Sequence, residues 1–190
     1  MATLIERAIG AARLDAATYE EVEADPTALS QALTVVVVAG IASGIGSASA
    51  SGGHGAGLLG GAVGALIGWA VWSFTVYLVG TRLLPMPETK SDYPEMLRTT
   101  GFAAAPGTIG ILGVVPGIGG LVLTVAWLWQ LAAMVIAVRQ ALDYTSTGRA
   151  IAVCLIGAIA QMVVLFLVMG LFIGGVAALF GGSTPATVTP

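Results

Sequence analysis

Few residues in this chain could do chemistry. It has one histidine, His54, in a glycine-rich turn, and one cysteine, Cys154, in an apolar stretch with no basic neighbour to activate its thiol. A zinc site needs several histidine, cysteine or carboxylate ligands, and a serine–histidine–aspartate triad needs a histidine beside its nucleophile. The sequence therefore predicts no catalytic, metal-binding or cofactor-binding residue, and we expect that the protein is not an enzyme.

One glycine motif resembles a nucleotide-binding signature. Residues 55–60 read Gly-Ala-Gly-Leu-Leu-Gly and match the dinucleotide fingerprint Gly-x-Gly-x-x-Gly. That fingerprint acts where it follows a β-strand and where an acidic residue lies about 20 residues further on. Here it follows an apolar helix and no acidic residue is found at that distance, so no cofactor is predicted.

The strongest polar groups inside apolar stretches are the amides of Gln130 and Gln161. Two interpretations stay open for them. They could hydrogen-bond to each other between two helices, a contribution of about 1 kcal/mol, or they could line a polar path through a membrane. No Asp, Glu, Lys or Arg interrupts the stretches around them, so the ionisable relays of proton-coupled carriers are missing.

The elements that position these groups are predicted by composition. The chain is 57% hydrophobic and 9% charged, whereas soluble domains carry about 25% charged residues. Three stretches carry no charge at all, and a helix needs about 20 residues to cross a bilayer. We predict an all-α membrane bundle with five transmembrane helices, at about 33–50, 58–81, 99–115, 118–138 and 150–178.

Three parts of the chain follow from this pattern. Residues 1–30 form a cytoplasmic segment, amphipathic at first because apolar residues from Leu4 to Ala12 recur at helical spacing. Its acidic second half, residues 19–26, is predicted to be a solvated segment that leads into the first membrane helix. Residues 31–181 form the membrane domain, and residues 182–190 form a flexible tail.

The basic residues predict the orientation of the bundle, because cytoplasmic loops accumulate lysine and arginine. With five crossings and a cytoplasmic N-terminus, all seven basic residues fall on the cytoplasmic side and the C-terminus lies outside: Arg7, Arg13, Arg82, Lys90, Arg98, Arg139 and Arg149. One alternative stays open, since Pro106 breaks the third segment. Residues 99–115 and the following helix could form a re-entrant hairpin without changing this count.

Glycines four residues apart predict close helix packing. They occur in the first, second and fifth membrane segments: Gly40 and Gly44; Gly60, Gly64 and Gly68; Gly170 and Gly174. Such small residues allow helices to approach closely in a bilayer, within one chain or between copies. Tryptophans inside the segments, such as Trp69 and Trp127, either fill space between helices or line a pocket, and packing is the favoured interpretation.

A short motif gives the chain a resemblance to a known family. Residues 101–106 begin with Gly101 and Phe102 and end with Pro106. This run is similar to the Gly-Tyr-x-x-x-Pro signature of the Yip1 domain family, with Phe102 in place of tyrosine. An acidic N-terminal segment followed by five membrane helices also resembles the bacterial members of that family.

The resemblance implies a multi-pass protein of the bacterial cytoplasmic membrane. Eukaryotic members are trafficking factors that associate with small GTPases, but their Asp-Leu-Tyr-Gly-Pro motif has no match here, so GTPase binding is not carried over. We expect a non-enzymatic scaffold or accessory subunit whose partners are membrane lipids and other membrane proteins or further copies of itself. The alternative is a small permease or channel for an uncharged solute. The net charge of −3 argues against nucleic acid as a partner.

Overall fold

The computed structural model describes residues 2–53, 57–87 and 89–180, without the side chains of 168, 169 and 171–180. Within these ranges the regular structure is entirely helical, which confirms the all-α class. The elements in chain order are α1 (Leu4–Ala12), α2 (Ala16–Ala24), α3 (Ala28–Ala50), α4 (Gly57–Leu78, continued by a π-helical turn over Val79–Leu83), α5 (Tyr93–Phe102), a 3-10 helix (Ala105–Val114), α6 (Gly119–Ala141) and α7 (Thr147–Phe180).

Four of these helices are long and apolar enough to cross a membrane. Among the described residues the candidate spans are Ala28–Ala50, Gly57–Leu83, Gly119–Ala141 and Thr147–Leu167. They lie at four of the five predicted segments, which confirms that the chain is a multi-pass membrane protein. The fifth predicted segment, 99–115, has a different structure.

Residues 99–115 are divided between two elements. α5 begins at Tyr93, inside the stretch predicted as a polar loop, because Asp92 and Glu95 form a capping box and Pro94 occupies the first turn. The helix ends at Phe102, and the chain continues from Ala105 as a 3-10 helix of 10 residues. At about 2 Å per residue, that helix alone covers about 20 Å.

The 3-10 helix and the end of α5 run parallel to α3. A Cβ atom added to Gly101 would lie 2.7 Å from the Cβ of Ala32, and one added to Gly113 would lie 2.9 Å from the Cα of Gly46. Between these two contacts the chain follows α3 for about 21 Å. The predicted turn at Pro116 and Gly117 then reverses it, with Gly117 at a φ of 82° that suits glycine.

The N-terminal segment forms two docked helices. α1 starts with a capping box between Thr3 and Glu6, and Leu14, at a φ of 64°, turns the chain into α2. Tyr19 and Val22 of α2 are fully buried. The interpretation of residues 19–26 as a solvated entry segment was therefore wrong, because Tyr19 and Val22 belong to the core and Glu23 is half-buried.

The chain divides into two compact units, residues 1–157 and 158–190. The first contains α1 to α6 and the start of α7, and its core joins Tyr19 and Ala32 to Phe102 and Ala133. In the second, the described part is the remainder of α7, where apolar side chains such as Met162 and Phe166 are 71% and 80% exposed. Such exposure is typical of a helix in lipid. The predicted tail, 182–190, lies outside the described residues.

Candidate functional site

Arg7 anchors α1 to the rest of the first unit. Its guanidinium is 2% exposed and forms ion pairs with Glu21 (2.9 Å) and Asp25 (2.7 Å), while Nη1 donates a hydrogen bond to Oε1 of Gln31 (3.0 Å). Hydrogen bonds from Thr27 and from Arg7 lower the pKa of Asp25 to about 2. One buried base therefore ties α1 to the end of α2 and the start of α3.

A second buried base, Arg98 of α5, holds the C-terminal end of α2. Its Nε donates to the backbone carbonyl oxygens of Val22 (3.1 Å) and Glu23 (3.2 Å), and its Nη2 also donates to the Glu23 carbonyl. The last carbonyls of a helix have no partner within the helix and carry a partial negative charge. Arg98 satisfies these carbonyls and so replaces a glycine C-cap.

Carboxylates surround this contact. Burial, together with the nearby charges of Asp143, Glu95 and Glu20, raises the pKa of Glu23 to about 7, although the charge of Arg98 acts in the opposite direction. Glu20 accepts a hydrogen bond from Nε2 of Gln140 at 2.7 Å, which joins α2 to the end of α6. Among the described residues, no group of three or more His, Cys, Asp or Glu side chains could hold a metal ion.

The connection between α6 and α7 is fixed at the same end of the bundle. The hydroxyl of Tyr144 donates to the carbonyl oxygens of Gly80 (3.1 Å) and Leu84 (2.7 Å). Arg139 donates to the carbonyl oxygen of Tyr144 (3.1 Å). We call the surface formed by α2, the start of α5 and residues 139–149 the arginine end, because it contains Arg98, Arg139 and Arg149 and lies beside Arg7.

A polar junction links the arginine end to the apolar part of α4. The indole Nε1 of Trp69 lies 3.2 Å from the carbonyl oxygen of Leu97 and from Oγ1 of Thr100, and Oγ of Ser73 lies 2.7 Å from the same Oγ1. Ser73 and Thr100 are fully buried. These bonds satisfy polar groups in an apolar layer and fix the tryptophan ring. Gly101 lies against that ring, because a Cβ there would approach Cζ2 of Trp69 to 3.3 Å.

The glycines predicted to pack between helices have two different environments. Gly40 and Gly44 lie against Gly61 of α4, since a Cβ on Gly44 would lie 2.9 Å from the Cα of Gly61. By contrast, a Cβ on Gly64 or Gly68 would meet nothing within 4 Å. Gly64 and Gly68 therefore face an open space, which Gly60 also lines.

That open space is a cleft of about 640 Å³ in the first unit, which we call the glycine cleft. It lies between α3, α4, α6 and residues Thr100 and Ala104. Its walls combine three indole rings, Trp69, Trp72 and Trp127, with the strip of α4 glycines. Gln130 contributes its amide, which makes no hydrogen bond in the described part of the chain.

The remaining predicted residues lie elsewhere. Phe102 and Pro106 are fully buried in the first unit and do not line the cleft. Gln161 belongs to the second unit, where its Oε1 is buried and lacks a hydrogen-bond partner among the described atoms. A Cβ on Gly170 would meet nothing within 4 Å. Gly174 is helical but its surroundings are outside the described residues, as is His54.

Sequence reasoning missed Arg7 and Arg98 as structural residues. Both arginines entered the sequence analysis only as basic residues that predict the orientation of the bundle. A basic residue within a pattern of buried apolar residues also indicates a fixed contact. The capping box formed by Asp92 and Glu95 is also recognisable in the sequence, and it would have predicted that Arg98 lies on a helix.

Comparison with known proteins gives one match. A family model described as the Yip1 domain matches residues 15–169, which includes α2 to α6, the 3-10 helix and most of α7. No curated protein and no solved structure matches the chain. The match confirms the resemblance seen in residues 101–106.

Proposed function

The chain belongs to the Yip1 domain family, and we propose that it is a non-enzymatic membrane scaffold or accessory subunit of the Yip1 type. It acts through helix packing in the bilayer and through the arginine end on the cytoplasmic side. Its membrane is the bacterial cytoplasmic membrane, and its partners are lipids together with other membrane proteins or further copies of the chain. GTPase binding is not part of the proposal, since the motif for it is missing.

The proposal includes five crossings, with the N-terminus inside and the C-terminus outside. The parallel course of residues 101–113 along α3 supports a full third crossing, because it reaches from Ala32 almost to the end of α3. A re-entrant hairpin would turn back near the middle of α3. The seven basic residues then all lie on the cytoplasmic side, in agreement with the positive-inside rule.

The single observation that carries the proposal is the fixation of the arginine end. Two buried arginines and the Tyr144 hydroxyl join α1, α2, the start of α3, the end of α4, α5 and the α6–α7 connection, and Glu20 and Asp143 are exposed on the arginine end. A surface held by contacts far apart in sequence is suited to present charges in a fixed arrangement to a partner. A flexible cytoplasmic segment would not need buried arginines.

Crosslinking in native membranes tests this function. Cells expressing a tagged chain are treated with a crosslinker, and the protein is purified in mild detergent. The proposal predicts a defined adduct with another membrane protein or a second copy. Recovery of the uncrosslinked single chain alone would contradict it.

A second candidate function is a small permease or channel for an uncharged solute. Gln130 in the glycine cleft favours it, because a polar group in an apolar cavity is typical of a solute path. Pro106 does not line the cleft, which weakens this path. Uptake of neutral solutes into proteoliposomes that contain only this protein would support a permease, and the same rate in protein-free liposomes would exclude it.

A further inference from the structure

The amide of Gln130 in the glycine cleft is an unused hydrogen-bonding group. Its side chain is half-buried and lines the cavity, and none of its atoms bonds to another described residue. The hydroxyl groups nearby are already engaged, since Ser43 donates to the carbonyl oxygen of Gly107 (3.1 Å) and Ser47 to that of Gly44 (3.1 Å). Polar groups in apolar surroundings are nearly always hydrogen-bonded, so an occupant of the cleft should bond to Gln130.

The depth of Gln130 limits the chemistry of that occupant. It lies at the middle of the 23-residue helix α6, about 17 Å from either end and therefore near the centre of a bilayer about 30 Å thick. The ester groups and the headgroup of a phospholipid lie at the surface, so only its methylenes reach this level. The occupant must place a neutral polar atom at the bilayer centre.

Charge excludes the anionic alternatives. Residues 26–81 and 99–138, which contain the cleft walls, carry no lysine or arginine. A carboxylate or phosphate in the cavity would remain unpaired, and burying an unpaired charge is strongly unfavourable. An uncharged oxygen acceptor such as a carbonyl needs only the amide N–H of Gln130.

The walls favour a flat ring. Trp69 is held in place by its hydrogen bonds to α5, and Trp72 and Trp127 provide two further indole rings. Gly64 and Gly68, on the same helix as Trp69 and Trp72, have no side chain and leave room for a ring to approach the backbone. The volume of about 640 Å³ falls in the range of sites for small molecules, about 300–1,000 Å³.

We propose that the glycine cleft binds an uncharged lipid with a planar, carbonyl-bearing head, of the quinone type. A carbonyl oxygen of the head accepts a hydrogen bond from the Gln130 amide. The ring lies beside the α4 glycines, in the part of the cleft that the three indoles also line, and an apolar tail leaves the cleft toward the bilayer. This site does not depend on the scaffold function, and no redox step is assigned to it.

Binding is measured with the protein in nanodiscs, using a benzoquinone with a ten-carbon tail as the probe. Because three of the four tryptophans line the cleft, bound quinone should quench most of the tryptophan fluorescence in a saturable manner. Decylbenzene, which has the ring and the tail but no carbonyl, is the matched ligand control and should not compete.

Two variants locate the site. Gln130→Leu keeps the approximate volume and removes the amide, and should weaken quinone binding about five- to tenfold, the effect of one net hydrogen bond. Gly64→Leu should abolish saturable binding because its side chain enters the open space, where a Cβ at this position would meet nothing within 4 Å. The control variants are Thr124→Val and Gly120→Leu on α6, whose positions are exposed and outside the cleft, and both should bind as the wild type does.

Three results would overturn the proposal. Equal competition by decylbenzene would mean that the cleft takes any apolar molecule. Unchanged affinity in Gln130→Leu or in Gly64→Leu would place the quinone elsewhere. Crosslinking of a cysteine at Gly64 to a second polypeptide, without saturable quinone quenching, would mean that a partner helix fills the cleft.

Discussion

Arg98 of α5 donates hydrogen bonds to the backbone carbonyl oxygen of Glu23 through both Nε and Nη2. The two residues are 75 positions apart, so this contact fixes the end of α2 on a helix that leads into the membrane. Its acceptor is a backbone carbonyl oxygen, so the contact requires two donors in the fixed geometry of the guanidinium. Lysine, a point charge with one nitrogen, does not reproduce it.

Arg98→Met should release α2 from the bundle. The last carbonyls of α2 would be buried without donors, so we expect a loss of about 2–4 kcal/mol in stability and faster proteolysis at residues 25–27. Thermal unfolding in detergent and limited proteolysis measure both effects. Arg82→Met, at an exposed arginine in the last turn of α4, is the matched control and should behave as the wild type does. Equal stability of the two variants would contradict this role.

Arg7→Met should detach α1 while leaving the membrane helices folded. The substitution removes both ion pairs and the bond to Gln31. Two hydrogen bonds to carbonyl oxygens of α1 then remain, from the Tyr19 hydroxyl to Ala11 (3.1 Å) and from Nε1 of Trp129 to Ala12 (2.7 Å). Hydrogen exchange of the α1 amides should become at least tenfold faster, the effect of about 1.4 kcal/mol. Arg13→Met, at an exposed position after the same helix, should leave exchange unchanged. Protection of α1 in both variants would show that Arg7 is dispensable.

Glu23 should make stability depend on pH. Its pKa is raised from 4.5 to about 7 in the folded state, so the folded protein retains a proton that the unfolded chain releases. The favourable contribution is therefore complete below about pH 4.5 and is lost as the pH rises to about 7. The thermal midpoint should be lower at about pH 8 than at about pH 5, and Glu23→Gln should raise the midpoint at about pH 8 and reduce the difference. An identical pH profile in the variant would exclude Glu23 as the cause.

Substitution by alanine should have opposite effects on stability at a glycine packed against another helix and at a glycine that faces the cleft. Gly44→Ala forces α3 and α4 apart, because the new Cβ would overlap the carbonyl oxygen of Gly57, and should cost about 1–3 kcal/mol. Gly64→Ala meets open space and should stabilise α4 by up to about 1 kcal/mol through its higher helix propensity. Detergent unfolding curves distinguish them. Equal destabilisation by both would mean that Gly64 is also packed.

Labelling of single cysteines tests the five crossings. In a Cys154→Ser background, an impermeant thiol reagent should label Gly52→Cys and Pro116→Cys on intact cells. It should label Lys90→Cys and Thr145→Cys only after permeabilisation. Pro116 is the decisive position, because it follows the 3-10 helix. No labelling of Pro116→Cys from outside would favour the re-entrant hairpin.

The long helices were predictable because their uncharged stretches match bilayer thickness. The segment around Pro106 was not, since a 3-10 helix depends on Gly107, Gly110 and Gly113 fitting against Ser43 and Gly46 of another helix. Hydropathy does not register such a tertiary contact. The boundary at Tyr93 was predictable from the capping box at Asp92 and Glu95.

The candidate site could be predicted only in part, because it too depends on tertiary contacts between helices. Gln130 and the tryptophans are recognisable in sequence as polar and aromatic groups in apolar helices, but their meeting in one cleft depends on helix rotation. The glycine spacing predicted close packing for Gly64 and Gly68 as much as for Gly40 and Gly44. Gly40 and Gly44 of α3 face α4 at Gly61, whereas a Cβ on Gly64 or Gly68 would meet nothing within 4 Å.

Site-directed photo-crosslinking tests the scaffold function most directly. A photoreactive residue is placed at Asp92 or Asp143 on the arginine end, and at Leu121 or Ile151 as apolar, exposed controls. After irradiation of living cells, the account predicts one defined protein adduct from the arginine-end positions, which Arg98→Met should remove. Lipid adducts alone from all four positions would contradict a scaffold that acts through this surface.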